Sequence, residues 1–249
     1  MTGEVPLEIR GVSKNYGGLR AVQDVSFVAQ GGEILGIVGP NGAGKTTLFD
    51  VISGHTRCTR GDVLIDGGVV TSAPVNVRLK RGIARTFQQP TVAGSMTVLE
   101  NMLLAAFFAP RRSRGTGPSP AGVAAEHLEL VGLEAAAGAI AGSLSVFDKK
   151  RLMLATALAT GAHVLLLDEP FGGLSAGEID FTIEVVRRVR DRGVAVVCIE
   201  HVMRALVSLA DRVMVMHHGA TFFEGSPAEM LRDDKVIEIY LGVGAGSRP

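Results

Sequence analysis

The run Gly39-Pro40-Asn41-Gly42-Ala43-Gly44-Lys45-Thr46, with Thr47 after it, puts three glycines, an amine and two hydroxyls into one short segment. That set of residues suits phosphate. Glycines let successive backbone N–H groups turn inward onto phosphate oxygens, and a helix starting near Gly44 adds its positive end. Lys45 is placed to reach the β- and γ-phosphates of a nucleoside triphosphate, and the Thr46 hydroxyl to join a Mg²⁺ shell. With 32 glycines in 249 residues the bare pattern can arise by chance, so context matters. It follows an apolar strand, Ile34–Gly39, and opens a helical pattern, Lys45–Ser53, which makes ATP with Mg²⁺ the expected ligand.

Two carboxylates end a second apolar run, Leu165-Leu166-Leu167-Asp168-Glu169. A strand this apolar is buried, so its tip lies at the C-terminal sheet edge where α/β proteins bind ligands. Asp168 suits Mg²⁺ coordination through water, and Glu169 suits polarising an attacking water as general base. His201 ends a third buried run, Val196–Glu200, and Gln88 ends the strand Ile83–Gln88, so both fall at the same edge. His217-His218, beside Gly219, reads as a solvated pair at a turn, and Lys149-Lys150-Arg151 as a solvated helix face.

The elements that must position these groups alternate along the chain. The first third is β-rich, with an alternating strand Val22–Val28 and a hairpin at Ile65-Asp66-Gly67-Gly68-Val69. The middle changes to helices at Val98–Phe108, Ala124–Val131 and Ser145–Thr160. Between the first two of these, Pro110 to Gly122 is rich in Arg, Gly, Ser and Pro and reads as a mobile connection. The last third runs Val164–Asp168, Glu178–Arg190, Val194–Glu200, Met203–Leu209 and Arg212–His217. Apolar strands separated by helices indicate a parallel sheet covered on both faces. A short strand, Phe222–Glu224, and helices Pro227–Leu231 and Lys235–Leu241 close the chain.

Composition narrows the partners. Lys plus Arg and Asp plus Glu number 25 each, without the basic excess of a general nucleic-acid binder. Cys58 and Cys198 form no metal or disulfide spacing, which fits a reduced setting. Met1–Arg10 has no signal-peptide pattern, and no apolar stretch approaches the roughly 20 residues that span a bilayer. Any membrane role therefore needs separate spanning subunits.

These motifs, in this order from about Leu7 to Leu241, resemble the ATP-binding subunits of ABC transporters. The resemblance implies an α/β fold: a P-loop NTPase core with a mainly parallel sheet, an antiparallel β subdomain and a helical, signature-bearing subdomain. It implies one domain over 5–245, divided near residues 90, 160 and 225 into core with β subdomain, helical subdomain, core again and C-terminal helices. It assigns Tyr16 to stacking on adenine and Gly39–Thr47 to the Walker A loop. Gln88 becomes the Q-loop residue, sharing the metal with Thr46 and Asp168 and linking the γ-phosphate site to the membrane subunits. Asp168 and Glu169 become the Walker B pair, and His201 the switch histidine. Implied partners are a second ATPase subunit, transmembrane permease subunits and, indirectly, a periplasmic or extracellular solute-binding protein, at the cytoplasmic face of the cell membrane. Within the superfamily, Tyr16–Val22, Ala84–Gln88, Met96–Asn101, Ile199–Met203 and Ile239–Gly242 are most similar to the branched-chain amino acid uptake subgroup. Lipopolysaccharide-exporting relatives share parts of these stretches. A soluble, non-transport ABC ATPase is the reading from another class, although such proteins usually carry two ATPase units or a long coiled coil. A catalytically weak regulatory subunit is a third, which Glu169 argues against.

One loop departs from the family pattern. Where Leu-Ser-Gly-Gly-Gln is usual, the chain has Leu144-Ser145-Val146-Phe147-Asp148. Ser145 and the following helix keep a hydroxyl and a helix N-terminus for phosphate. Phe147 is expected to hinder the close approach that glycine allows, and Asp148 to sit unfavourably near an anion. Ser175 also stands where the D-loop usually has Asp. Because the resemblance implies that this loop acts on the partner's ATP, one expectation is a heterodimer in which the opposite site is slow. The other is drift within a subgroup, the loop still working through Ser145 and backbone groups.

Overall fold

The structure, a computed structural model, describes residues 6–109 and 119–241. Two sheets organise it. The smaller is antiparallel, in the order β2-β1-β4-β5, and comprises β1 (Leu7–Tyr16), β2 (Leu19–Ala29), β4 (Arg60–Ile65) and β5 (Gly68–Val69). The larger has β3 (Ile34–Val38), β6 (Ile83–Arg85), β7 (Val164–Asp168), β8 (Ala195–Ile199), β9 (Arg212–His217) and β10 (Ala220–Gly225). Its order is β10-β9-β3-β8-β7-β6, parallel except for the antiparallel edge pair β9–β10.

Every residue of β3, β7 and β8 is buried. The two-residue period survives as a choice of core rather than of solvent exposure. Leu165, Leu167, Val196 and Cys198 enter one apolar cluster, while Val164, Leu166, Val197 and Ile199 enter another on the opposite face. The first cluster is completed by α3 (Val98–Phe107), α4 (Pro120–Val131), α5 (Val146–Ala159) and α6 (Ala176–Asp191), the second by α1 (Lys45–Ser53) and the small sheet. α7 (Met203–Leu209), α8 (Pro227–Met230) and α9 (Asp234–Leu241) cover the β9 side.

The helical block α3–α5 lies between β6 and β7 in the chain, and its three helices pack on one another. α3 opens with a capping box: Thr97 Oγ1 accepts from Glu100 N at 3.1 Å, and Glu100 Oε2 accepts from Thr97 N at 2.7 Å. That reciprocal pair satisfies two of the donors left over at a helix start.

Most of the connection expected over Pro110–Gly122 falls outside the described residues, as does Gly242. Its end is not a connection. Pro120–Gly122 form the first turn of α4, where Ser119 Oγ accepts from Gly122 N at 3.1 Å and Pro120 takes the first-turn position that needs no N–H. The strand expected to reach Gln88 stops at Arg85, leaving Gln88 in a loop. A short helix, α2 (Val75–Lys80), was not legible, its six residues being too few to show a period. No helix among the described residues is long and apolar enough to cross a membrane.

Candidate active site

Sheet register brings the candidate residues to one edge. Ile37 pairs with Ile199, Asp168 with Ile199 and Arg85 with Leu166, so β3, β6, β7 and β8 end together. The segment Gly39–Gly44 leaves β3 and enters α1, whose N-cap, Gly44, supplies no side-chain acceptor. First-turn N–H groups without a capping side chain are the donors that phosphate takes. Gly39 and Gly44 have φ of 147° and 96°, and a Cβ at either would lie 2.1 Å from Met216 O or 2.2 Å from Ala21 O. Glycine is required there on both counts. Gly42, by contrast, has open space around it, and Asn41 and Thr46 are exposed while Pro40, Gly44 and Thr47 are half-buried. Ala43 is buried, its carbonyl accepting from Gly219 N at 3.1 Å.

Lys45 is 8% exposed and donates to the carbonyls of Gly39 at 2.6 Å and Pro40 at 3.0 Å. Burial pushes its ammonium below the usual lysine range, with Glu169 and Asp168 nearby pushing it back. Tyr16, at the end of β1, is half-exposed and has the Lys14 ammonium 4.6 Å from its ring centroid.

Asp168 is buried, with Oδ2 accepting from Arg85 Nη2 at 2.7 Å. Glu169 follows in the left-handed region, φ 49°, a backbone conformation costing a non-glycine residue about 1 kcal/mol or more. Its Oε2 accepts from Gln88 Nε2 at 2.6 Å and lies 3.5 Å from His201 Nδ1. Three of the four residues placed at this edge from sequence, Gln88, Glu169 and His201, therefore meet at one carboxylate oxygen.

Three further residues hold the site together. Glu200, 1% exposed, accepts from Phe171 N through Oε1 and from His201 N and Val202 N through Oε2, each at 2.9 Å. It fixes the segment after Glu169 to the segment carrying His201. The signal was its place at the end of a wholly buried run, where a carboxylate needs donors. Lys150 donates to the carbonyls of Gly172 at 2.8 Å, Pro170 at 3.1 Å and Glu169 at 3.4 Å. Arg151 caps α4 through Val131 O at 2.8 Å and Gly132 O at 2.9 Å. Lys149-Lys150-Arg151 is thus not a solvated face: two of its three cations bind backbone. Arg85 is the third residue missed. The histidine pair is only half solvated, since His217 is half-buried against Phe222 and His218, though exposed, has its carbonyl bonded by Gln23 Nε2 at 2.7 Å.

At the departing loop, Ser145 Oγ caps α5 by accepting from Asp148 N at 3.0 Å. Val146 is exposed. The Phe147 ring packs edge-on to Phe181 of α6, centroids 5.8 Å apart, with the Arg151 guanidinium 4.7 Å from it. The ring thus packs against Phe181 and Arg151 of its own chain. Asp148 lies in the first turn of α5 and is ion-paired to Arg151. Burial opposes its ionisation, yet hydrogen bonds from Arg151 and Ser145 outweigh that and hold its carboxyl below the usual range.

Among the described residues no three His, Cys, Asp or Glu side chains gather around a metal. Mg²⁺ keeps waters and phosphate oxygens and takes only one or two protein ligands; Thr46, Asp168 and the Gln88 amide oxygen are the groups at this edge that could hold it.

Comparison with known proteins agrees with this geometry. Residues 22–172 match the family model described as ABC transporter. The chain belongs to the ABC transporter ATP-binding family. Residues 221–246 of this cassette also match the model described as branched-chain amino acid ATP-binding cassette transporter. The cassette is 33% identical over 248 residues to the high-affinity branched-chain amino acid transport ATP-binding protein BraF of Pseudomonas aeruginosa, covering 95% of this chain and 97% of BraF. It is 30% identical over 236 residues to the lipopolysaccharide export system ATP-binding protein LptB of Escherichia coli, covering 95% and 97%. Among solved structures, the ADP conformation of MJ1267, an ATP-binding cassette of an ABC transporter, superposes with a TM-score of 0.84 at 29% identity, covering 95% of this chain and 98% of that one. As a member of this family the cassette binds nucleotide and hydrolyses ATP.

Proposed function

We propose that this cassette is the ATP-hydrolysing subunit of an importer for branched-chain amino acids or a related small solute, held at the cytoplasmic face of the cell membrane by permease subunits. A solute-binding protein outside the membrane would supply the cargo. Support for the cargo class is the C-terminal match over 221–246, joined to the similarity with BraF. The chemistry rests on one observation, the meeting of Gln88 and His201 at Glu169 beside the phosphate loop.

In this reading Gly39–Thr47 cradles the phosphates, Tyr16 stacks on the base, and Thr46, Asp168 and Gln88 hold Mg²⁺, which when bound neutralises developing phosphate charge. Glu169 orients and polarises the attacking water, and His201 and Gln88 fix its carboxylate. Lys45 stabilises charge on the β- and γ-phosphates. Movement of the Gln88 segment with α3–α5 transmits the change to the permease.

The second ATP-binding half is a separate subunit, and a heterodimer is favoured because Val146, Phe147 and Asp148 replace the usual Gly-Gly-Gln. The packing of Phe147 on Phe181 favours the second reading, a homodimer whose loop acts through Ser145 and backbone N–H groups. Purification of the tagged cassette with its membrane partners, followed by identification of the second ATPase and a solute-uptake assay, tests all of this. Co-purification with lipid-export components would replace the importer reading by the exporter that similarity to LptB suggests. Isolation without any membrane protein would favour a soluble ATPase.

A further inference from the structure

Arg85, the last residue of β6, has a side chain only 5% exposed. Its Nη2 donates to Asp168 Oδ2 at 2.7 Å, and its Nη1 to Asp50 Oδ1 at 2.6 Å and Ser53 Oγ at 3.2 Å. The guanidinium carbon lies 5.0 Å from the Phe87 ring centroid and 5.6 Å from that of Phe49. One planar cation therefore joins three things: the phosphate-loop helix α1, through Asp50, Ser53 and Phe49, the tip of β7, and Phe87, the residue before Gln88.

Stability alone is a poor reason for this arrangement. Arg85 Nε is buried without a partner, and a buried cation with an unmet donor costs free energy that an apolar side chain of similar size avoids. What the fork provides is direction. Two in-plane N–H bonds to carboxylates on different elements fix the separation of α1 and β7, and an ammonium, a point donor on a flexible stem, cannot reproduce them.

We propose that Arg85 is a positioning residue for hydrolysis: by holding Asp168 through Oδ2 and tethering it to Asp50, it sets the carboxylate that receives the Mg²⁺ shell and links it to the Gln88 segment through Phe87. The proposal rests on the reading of Asp168 given above. With Oδ2 taken by Arg85, Asp168 would offer its other oxygen toward the metal's shell, and the same guanidinium ties Asp168 to α1 at Asp50, four residues after Thr46.

The experiment compares wild type with Arg85→Lys, Asp50→Asn and Asp168→Asn. ATP binding is measured with Mg²⁺ and with EDTA, alongside Tm, and the Mg²⁺ dependence of hydrolysis in the assembled transporter. Arg85→Lys is expected to raise the half-saturating Mg²⁺ and lower kcat, each by about tenfold or more, while ATP binding in EDTA stays within about twofold. Asp50→Asn, whose side chain is partly exposed, is expected to shift Mg²⁺ dependence the same way by less. Equal loss of binding with and without Mg²⁺, tracking a fall in Tm, would mean packing only and would overturn the proposal. Should Arg85→Lys not fold, an unchanged Mg²⁺ dependence in Asp50→Asn overturns it instead. Unchanged Mg²⁺ dependence in Asp168→Asn overturns the underlying reading of Asp168, whereas a shift there without one in Arg85→Lys sinks the Arg85 proposal alone.

Discussion

Gln88 Nε2 donates to Glu169 Oε2 at 2.6 Å, although the two residues are 81 positions apart and on separate loops. The bond is charge-assisted and short, so it is among the stronger kinds of side-chain contact. It ties the loop after β6 to a glutamate whose backbone is already held at φ 49°. A proposed general base is thereby oriented from its own backbone and from its carboxylate.

Replacing Glu169 by Gln keeps the size and the hydrogen-bonding edge but removes the base. ATP binding is expected to stay within about twofold while phosphate release falls by about 10²-fold or more, the usual contribution of a positioned base. Equilibrium nucleotide binding and steady-state release, measured on one preparation, check this. Wild-type turnover in Glu169→Gln would take Glu169 out of that role.

Lys45 gives a prediction in which ligand binding and stability move apart. Its folded pKa is lowered by burial from the ordinary 10.5, with Glu169 and Asp168 opposing the shift. Between the lowered value and 10.5 the unfolded chain binds more protons than the folded one, so ligand-free stability rises with pH in that window. Lys45→Met removes a desolvated cation. It is expected to abolish tight ATP binding, leave ligand-free stability equal or higher at neutral pH, and flatten the rise of Tm with pH below 10.5. Thermal melts across that range, with and without ATP, would show all three; a lower Tm at neutral pH contradicts the account.

Much of this site was legible because its motifs are local. Gly39–Thr47 and Leu165–Glu169 each combine a buried strand with the polar residues at its tip, so sequence places both at the C-terminal edge. What escaped was long-range. Lys150 looks like one cation in a charge run until the fold brings the Gly172 carbonyl to it at 2.8 Å. Arg85 is unremarkable until β6 pairs with β7 and sets it beside Asp168. Phe147 was judged by the backbone room that glycine provides, but its ring direction is decided by Phe181, which only tertiary structure supplies.

Glu200 is the third test. Its carboxylate is the acceptor for three backbone donors, those of Phe171, His201 and Val202. Glu200→Ala would leave buried N–H groups unmet, at a cost of about 3 kcal/mol, and Glu200→Gln, which retains one carbonyl acceptor, is expected to lose about half of that. Denaturant unfolding measures both. Activity is expected to fall further than folded fraction in Glu200→Gln, because one carbonyl cannot serve both Phe171 N and the His201–Val202 pair, which breaks the link between the segments carrying Glu169 and His201. Equal falls would confine Glu200 to stability.

The last prediction separates the two dimer readings. Phe147 is the second residue of α5, packed on Phe181 and Arg151. Phe147→Gly removes that edge-on contact and places glycine within a helix turn, so stability should fall by about 1–2 kcal/mol. In a heterodimer where this loop slows the partner's site, the same change restores close backbone approach, and hydrolysis by the assembled transporter rises. In a homodimer working through Ser145 and backbone N–H groups the loop gains nothing, and hydrolysis stays level or drops with stability. Because the helix start is capped by Ser145 rather than Phe147, the N–H groups facing outward persist in the variant. A rise in rate despite a lower Tm therefore points to the glycine itself, and its absence favours the homodimer.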